Sequence, residues 1–199
     1  LMIAEELWKA RKIKKMVVHP LRERRACLGE LVQIDGSPHA WFEGRAAACV
    51  LLVFIDDATG KLLQLLFVES ESFFSYCAAA ERYFKQHGKP VAFYSDKHGI
   101  FRVNQESKSG LSSGLTQFGR AMEELGIQII CANSPQAKGR VERANQTLQD
   151  RLVKELRLRG ICDMQAGNAY LPEFCEDFNR RFAVAPRSSH DAHRPLLKN

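Results

Sequence analysis

The run Ala46 to Ile55 (AAACVLLVFI) is almost unbroken in apolar character. It is far too short to span a bilayer. Flanked by turn-forming residues, it predicts a central strand covered on both faces. Asp56-Asp57-Ala58-Thr59-Gly60 supplies the turn that follows, and Lys61 to Glu69 returns as the next strand. Cys27 to Ile34 (CLGELVQI) comes before the run as another strand. Three such segments in succession predict an antiparallel meander. With 45% hydrophobic residues in a chain of 199, one compact domain plus extensions is expected.

The pattern then changes period. Ser70 to His87 predicts a helix capped by Ser70 or Ser72 and stopped by Gly88, with Pro90 beyond. Val91 to Tyr94 is a short fourth strand, and a crossover through that helix makes it parallel to the first. Ile100 to Ser113 reads as a polar loop rich in Ser and Gly. Leu115 to Leu125 is a helix ended by Gly126, and Ile127 to Cys131 is a fifth strand. Ser134 and Pro135 suit the cap and first turn of the next helix. Its buried stripe is Ala137, Val141, Ala144, Leu148, Leu152 and Leu156. A last helix covers about Gln165 to Phe182. The fold class is therefore α/β: a mixed five-stranded sheet, three antiparallel strands then two parallel, flanked by helices. Residues 1–26 read as a helix and basic linker, 27–183 as the core, and 184–199 as a tail opening a truncated C-terminal region.

Three carboxylates fall at informative places. Asp35 ends an apolar strand and begins the loop Asp35-Gly36-Ser37-Pro38. An Asp there is either a local turn cap or a member of a polar site. Asp96 lies just past the fourth strand, at the same sheet edge as Asp35. Glu142 borders the buried stripe of its helix, and Lys138, Asn145, Gln146 and Gln149 share its face. An ordinary amphipathic helix with a surface Glu is the plain alternative. Asp56 and Asp57 are rival carboxylates, but a turn accounts for them without chemistry. Ser37 and Ser95 lie near the site, and no G-x-S-x-G pattern or matched His supports covalent catalysis.

The formal net charge is +6, and its distribution matters more than its size. Residues 9–25 carry Lys9, Arg11, Lys12, Lys14, Lys15, Arg22, Arg24 and Arg25 against Glu23. Lys138, Arg140 and Arg143 form a second cluster; Arg180, Arg181 and Arg187 form a third. Clusters flanking a polar pocket favour nucleic acid. The six cysteines contain no C-x-x-C pair and read as reduced, mostly buried thiols of a cytosolic protein. A zinc site of Cys175 with His190 and His193 matches no known finger spacing. There is no signal peptide and no membrane-length apolar run.

The stretches VQIDGSPHAWF around Asp35, VAFYSDKHGIF around Asp96 and NSPQAKGRVERANQTLQDRL around Glu142 carry a family resemblance. Over about residues 27 to 183 the sequence resembles the catalytic core of DDE transposases and retroviral-type integrases. It is similar above all to bacterial insertion-sequence transposases with an integrase-like core. The resemblance implies a ribonuclease H-like fold and places metal ligands at Asp35, Asp96 and Glu142. It implies a polynucleotidyl transferase using two Mg²⁺ ions, with Mn²⁺ as substitute, for DNA cleavage and strand transfer. Lys138, Arg140, Arg143, Gln146 and Gln149 are then the expected DNA contacts, and His98 a further candidate. Transposon ends and target DNA are the expected partners. A homo-oligomer in the synaptic complex and a bacterial, cytoplasmic, nucleoid-associated location also follow. The chain departs from the family where Lys97 and His98 follow the second Asp, and where the interval to Glu142 is long. Two other readings stay open: a ribonuclease H-type nuclease that does not join, and an inactive DNA-binding fragment.

Overall fold

The computed structural model describes residues 23–95, 100, 116–131 and 139–196. The N-terminal helix and most of the basic linker, Asp96, Lys97, His98, the Ser/Gly-rich loop, the Ser134-Pro135 cap and Lys138 all lie outside the described residues. The elements are β1 Leu31–His39, β2 Cys49–Asp56, β3 Leu62–Val68, α1 Phe73–His87, β4 Ala92–Ser95, α2 Gln117–Glu124, β5 Gln128–Cys131, α3 Gly139–Leu158 and α4 Met164–Phe182. The sheet order is β3-β2-β1-β4-β5. β1 and β2 pair antiparallel, as do β2 and β3, while β4 joins β1 in parallel and β5 joins β4 in parallel. The expected mixed sheet is present.

β2 is apolar from Cys49 to Ile55 and buried throughout, its last residue being the hydrogen-bonded Asp56. Leu51, Val53 and Ile55 face a core shared with Val141, Leu148, Leu152 and Leu156 of α3 and Leu171, Phe174 and Phe178 of α4. Val50, Leu52 and Phe54 face a second core with Tyr76, Tyr83 and Phe84 of α1 and Phe118 and Met122 of α2. The two-residue period of the strand sends alternate side chains into opposite layers. α1 starts at a capping box: the Ser72 hydroxyl accepts from the Ser75 amide at 3.1 Å, and the Ser75 hydroxyl accepts from the Ser72 amide at 2.8 Å.

One boundary differs from expectation in a way that matters. Asp35-Gly36-Ser37-Pro38 is not a loop; β1 runs through it to His39, pairing Asp35 with Val53 and Pro38 with Val50. The β4 ladder stops at Gln33 opposite Tyr94, so the far half of β1 bonds on one side only. A strand with one open side tolerates a proline, which has no amide hydrogen to offer there.

The β3 edge is closed by side chains of α4. Asn179 accepts from the Leu62 amide at 2.7 Å and donates to the Leu62 carbonyl at 2.8 Å. Asn168 does the same for Phe67, at 2.8 and 3.0 Å. Residues 184–196 pack back on the core. Val184 donates to the Thr59 carbonyl, Ser188 to that of Ala26, and Lys89 and Arg194 exchange backbone bonds. His193 reaches the Tyr83 hydroxyl at 2.5 Å.

His87 sits beside His193 and contacts the Leu63 carbonyl at 3.0 Å. Burial pushes its pKa below the ordinary 6.5, helped by His193 and Lys61 and opposed by the Leu63 carbonyl and Asp191. Below the ordinary value the unfolded chain takes up the proton first. The contribution of His87 is therefore present above about pH 6.5 and is lost as pH falls through the lowered native value. Melting temperatures between about pH 8 and pH 5 should fall with acid, and less steeply in a His87→Gln variant.

Among the described residues no helix is long and apolar enough to cross a membrane. The cysteines are all free; Cys49 is buried, Cys162 exposed and the other four half-buried. Burial pushes the Cys49 thiol up to about 11 and the Cys175 thiol up to about 12.

Candidate active site

Gln33, Asp35 and Ser37 alternate along β1 and so share one face of the sheet, the face that α3 covers. On α3 the matching positions are Val141, Asn145 and Gln149, spaced by one helical turn. The Gln33 Oε1 accepts from the Val141 amide at 3.2 Å. Asn145 donates its Nδ2 to Asp35 Oδ2 at 2.9 Å. Gln149 donates its Nε2 to the Ser37 hydroxyl at 3.1 Å. Two strand residues advance about 6.7 Å and four helical residues about 6.0 Å. The mismatch is small enough for three consecutive rungs to form.

This polar seam lies against the apolar stripe. Val141, Leu148, Leu152 and Leu156 are fully buried in the core beside it. The first rung satisfies one of the amide hydrogens that the first turn of a helix leaves without an intrahelical acceptor. The far end of α3 is held as well. Arg45 donates to the Leu156 carbonyl at 3.1 Å and to the Ile161 carbonyl at 2.8 Å. Glu142 follows Val141 directly, is exposed, and lies three residues from Asn145 on the same helix. Asp35 is thus held by Asn145, which stands about one helical turn beyond Glu142 on α3. β4 ends at Ser95, fully buried, at the sheet end that carries Asp35; Asp96 lies outside the described residues.

The rival carboxylates are accounted for. Asp56 is fully buried and accepts from the Gly29 amide at 3.0 Å and from the Thr59 amide and hydroxyl, both at 2.7 Å. Burial pushes its pKa up, against those hydrogen bonds. Asp57, also fully buried, accepts from Gln33 Nε2 at 2.8 Å, Arg140 Nη1 at 2.8 Å and the Arg25 amide at 2.9 Å. Among the described residues no three His, Cys, Asp or Glu side chains group as a metal site. That covers the Cys175, His190 and His193 combination. His193 instead bridges Tyr83 and Asp191.

The expected DNA-facing residues divide. Arg143 and Gln146 are exposed. Arg140 is half-buried on Asp57, and Gln149 is the third rung of the seam. Lys138 lies outside the described residues. Arg140, Arg143 and Gln146 also line a cleft of about 510 Å³ with Arg24, Arg151 and Phe182, between α3 and α4. Two features of the site went unread in the sequence: Gln33 and the Asn145–Asp35 contact. On the opposite face of β1 the Glu71 carboxyl packs so close to Gly36 that an added Cβ would come within 2.3 Å of it. Gln33 did leave a signal. It is the one amide in CLGELVQI, two residues before Asp35, and therefore on the same strand face.

The chain is 63% identical over 190 residues to y4bF of Sinorhizobium fredii (strain NBRC 101917 / NGR234), provisionally named a transposase. That match covers 96% of this chain and 41% of y4bF. It is 40% identical over 185 residues to the transposase for insertion sequence IS1202 of Streptococcus pneumoniae, covering 92% of this chain and 39% of that protein. The HTLV-2 integrase catalytic core domain, solved in complex with magnesium, superposes with a TM-score of 0.55 at 18% identity. It covers 73% of this chain and 84% of that one. The chain is a transposase relative built on an integrase-like core. Its sheet and flanking helices are the ribonuclease H-like fold of those cores. This transposase relative spans about two fifths of the length of the curated proteins it matches. No family model matches it.

Proposed function

We propose that this chain is the catalytic core of a DDE-type transposase that cleaves DNA and joins strands by metal-dependent phosphoryl transfer. The observation that carries the reading is the contact of Asn145 with Asp35 one turn from Glu142. The other amide atom, Asn145 Oδ1, is buried and has no hydrogen-bond partner among the described residues. A buried amide oxygen without a partner is costly. Next to the Asp35 carboxylate, it adds a hard oxygen donor of the kind Mg²⁺ selects, with Mn²⁺ as substitute. The residues fit the metal that the fold family implies. Asp35 and Glu142 would hold it, together with Asp96 from outside the described residues. Two such ions, when bound, supply activation of an attacking oxygen and stabilisation of the leaving one.

The chain's own residues do the rest. Asn145 fixes the orientation of the Asp35 carboxylate. The seam holds Glu142 in register with β1. Lys138, Arg143 and Gln146 place DNA phosphates without reading bases. Arg140 and Gln149 support the seam from within. Water serves as the first nucleophile and the freed 3′-hydroxyl as the second, so no protein nucleophile is required. Transposon ends and target DNA are the substrates, and a homo-oligomer brings two ends together.

The test is metal-dependent nicking of duplex DNA by wild type and Asp35→Asn, followed by a joining assay with a recessed 3′ end. Activity lost in the variant supports the site, and joining separates a transposase from a nuclease that only cuts. A wild type that neither nicks nor binds Mn²⁺ in a calorimetric titration refutes the catalytic reading.

A further inference from the structure

We infer that Asp57 is a positioning residue for the metal site, acting through Gln33 and Arg140 on the first turn of α3. The inference rests on the proposed catalytic reading and adds to it a residue outside the three carboxylates. Asp57 sits in the turn after β2, which would explain an acidic residue by itself. Its contacts do not belong to a turn alone. One oxygen, Oδ1, accepts from Gln33 Nε2 and from Arg140 Nη1, each at 2.8 Å. The other, Oδ2, accepts from the Arg25 amide at 2.9 Å. The carboxylate is fully buried and the Arg140 side chain is 13% exposed. A pair so placed persists only with its hydrogen bonds satisfied.

The bond to Gln33 fixes which way that amide faces. With Nε2 committed to Asp57, Oε1 is turned to the Val141 amide, the residue beside Glu142. Arg140, on the other side of Val141, is held by the same carboxylate oxygen. Residues 140 and 141 are therefore tied to β1 and the β2 turn immediately before Glu142. Gln33 stands two residues from Asp35 on the same strand face. Asp57 thus sets the start of the Glu142 helix against the Asp35 strand, without touching either proposed ligand in any contact described above.

Asp56 offers an internal control. It is equally buried, adjacent in sequence, and holds Gly29 and Thr59 rather than α3. In Asp57→Asn the amide brings a donor where three donors already converge. Partners behind metal ligands typically govern affinity by 10–100-fold, and about tenfold weaker Mn²⁺ binding is expected here. In the same variant kcat for nicking should fall with the KM for DNA unchanged, and the Val141 amide should exchange faster with solvent. Asp56→Asn should lose thermal stability while keeping Mn²⁺ affinity and Val141 protection. If Asp57→Asn does not fold, Arg140→Lys replaces it, with the same direction of change in Mn²⁺ affinity and Val141 exchange. Equal effects from the position-56 and position-57 variants, or unchanged Mn²⁺ affinity in both Asp57→Asn and Arg140→Lys, overturn the inference. A wild type that binds no Mn²⁺ overturns the catalytic reading and this inference with it. A wild type that binds Mn²⁺ no more tightly than Asp57→Asn and Arg140→Lys overturns this inference alone.

Discussion

Trp41→Ala is expected to cost about 3–5 kcal/mol, the usual penalty for truncating a large buried aromatic. Trp41 is fully buried between His39 and Phe67, with ring centroids at 5.3 and 5.8 Å. Its indole also donates to the Ser37 carbonyl at 2.9 Å. Removing it opens a cavity where the end of β1 turns back under the α3–α4 layer. For a domain of this size each kcal/mol moves the melting temperature by about 2–4 °C, so a drop of about 6–20 °C should be seen by calorimetry. Trp41→Phe keeps most of the packing and loses the indole bond, at about 1 kcal/mol. A Trp41→Ala variant that melts within a degree or two of wild type would show that the core under β1 is not packed as described.

On the proposed reading, Glu142→Gln should lower metal-dependent cleavage by at least about 10²–10³-fold, the scale of removing one electrostatic stabiliser from a reacting centre. The residue is exposed and makes no part of the apolar stripe, so the melting temperature should stay close to that of wild type. The contrast with Trp41→Ala is the informative result: one substitution attacks the scaffold and the other the chemistry. Paired measurements of melting temperature and single-turnover cleavage distinguish them. Cleavage unchanged by Glu142→Gln would remove this residue from the site.

The mixed sheet and the helix faces could be read from residue types because each rests on a strong local signal. Cys49 to Ile55 is apolar because β2 is covered on both faces, while Ala47 and Ala48 before it are exposed, and the α3 stripe follows the helical period. The end of β1 could not be read in that way. Gly36 and Pro38 are turn formers by propensity, yet β2 supplies a partner along one whole side, and the pairing overrides the propensity. The candidate site was half visible for a related reason. Asp35 stands out as a carboxylate ending an apolar strand, and Glu142 as the lone carboxylate on a polar, cationic helix face. Gln33, Asn145 and Gln149 look like common surface amides until β1 and α3 are placed face to face. Asp57 looked like a turn residue and is one. Its ties to Gln33 and Arg140 span 24 and 83 positions of sequence, a separation at which no local pattern survives. Arg140 was expected to meet DNA because of its charge; the buried carboxylate facing it could not be seen from its neighbours.

Asn168 and Asn179 have a consequence for how copies of this chain can meet. An outer strand normally offers a ladder of amide and carbonyl groups that a second molecule can extend, and such pairing grows without limit. Here two carboxamides from α4 occupy both hydrogen-bonding groups of Leu62 and of Phe67. Gln64 takes up the Leu65 carbonyl between them. An incoming strand at β3 would have to displace these three side-chain amides to pair along the full length of the strand. Strand addition at this edge is disfavoured at the outset. A closed multimer that uses this side of the sheet must therefore meet through side chains rather than through a shared backbone ladder.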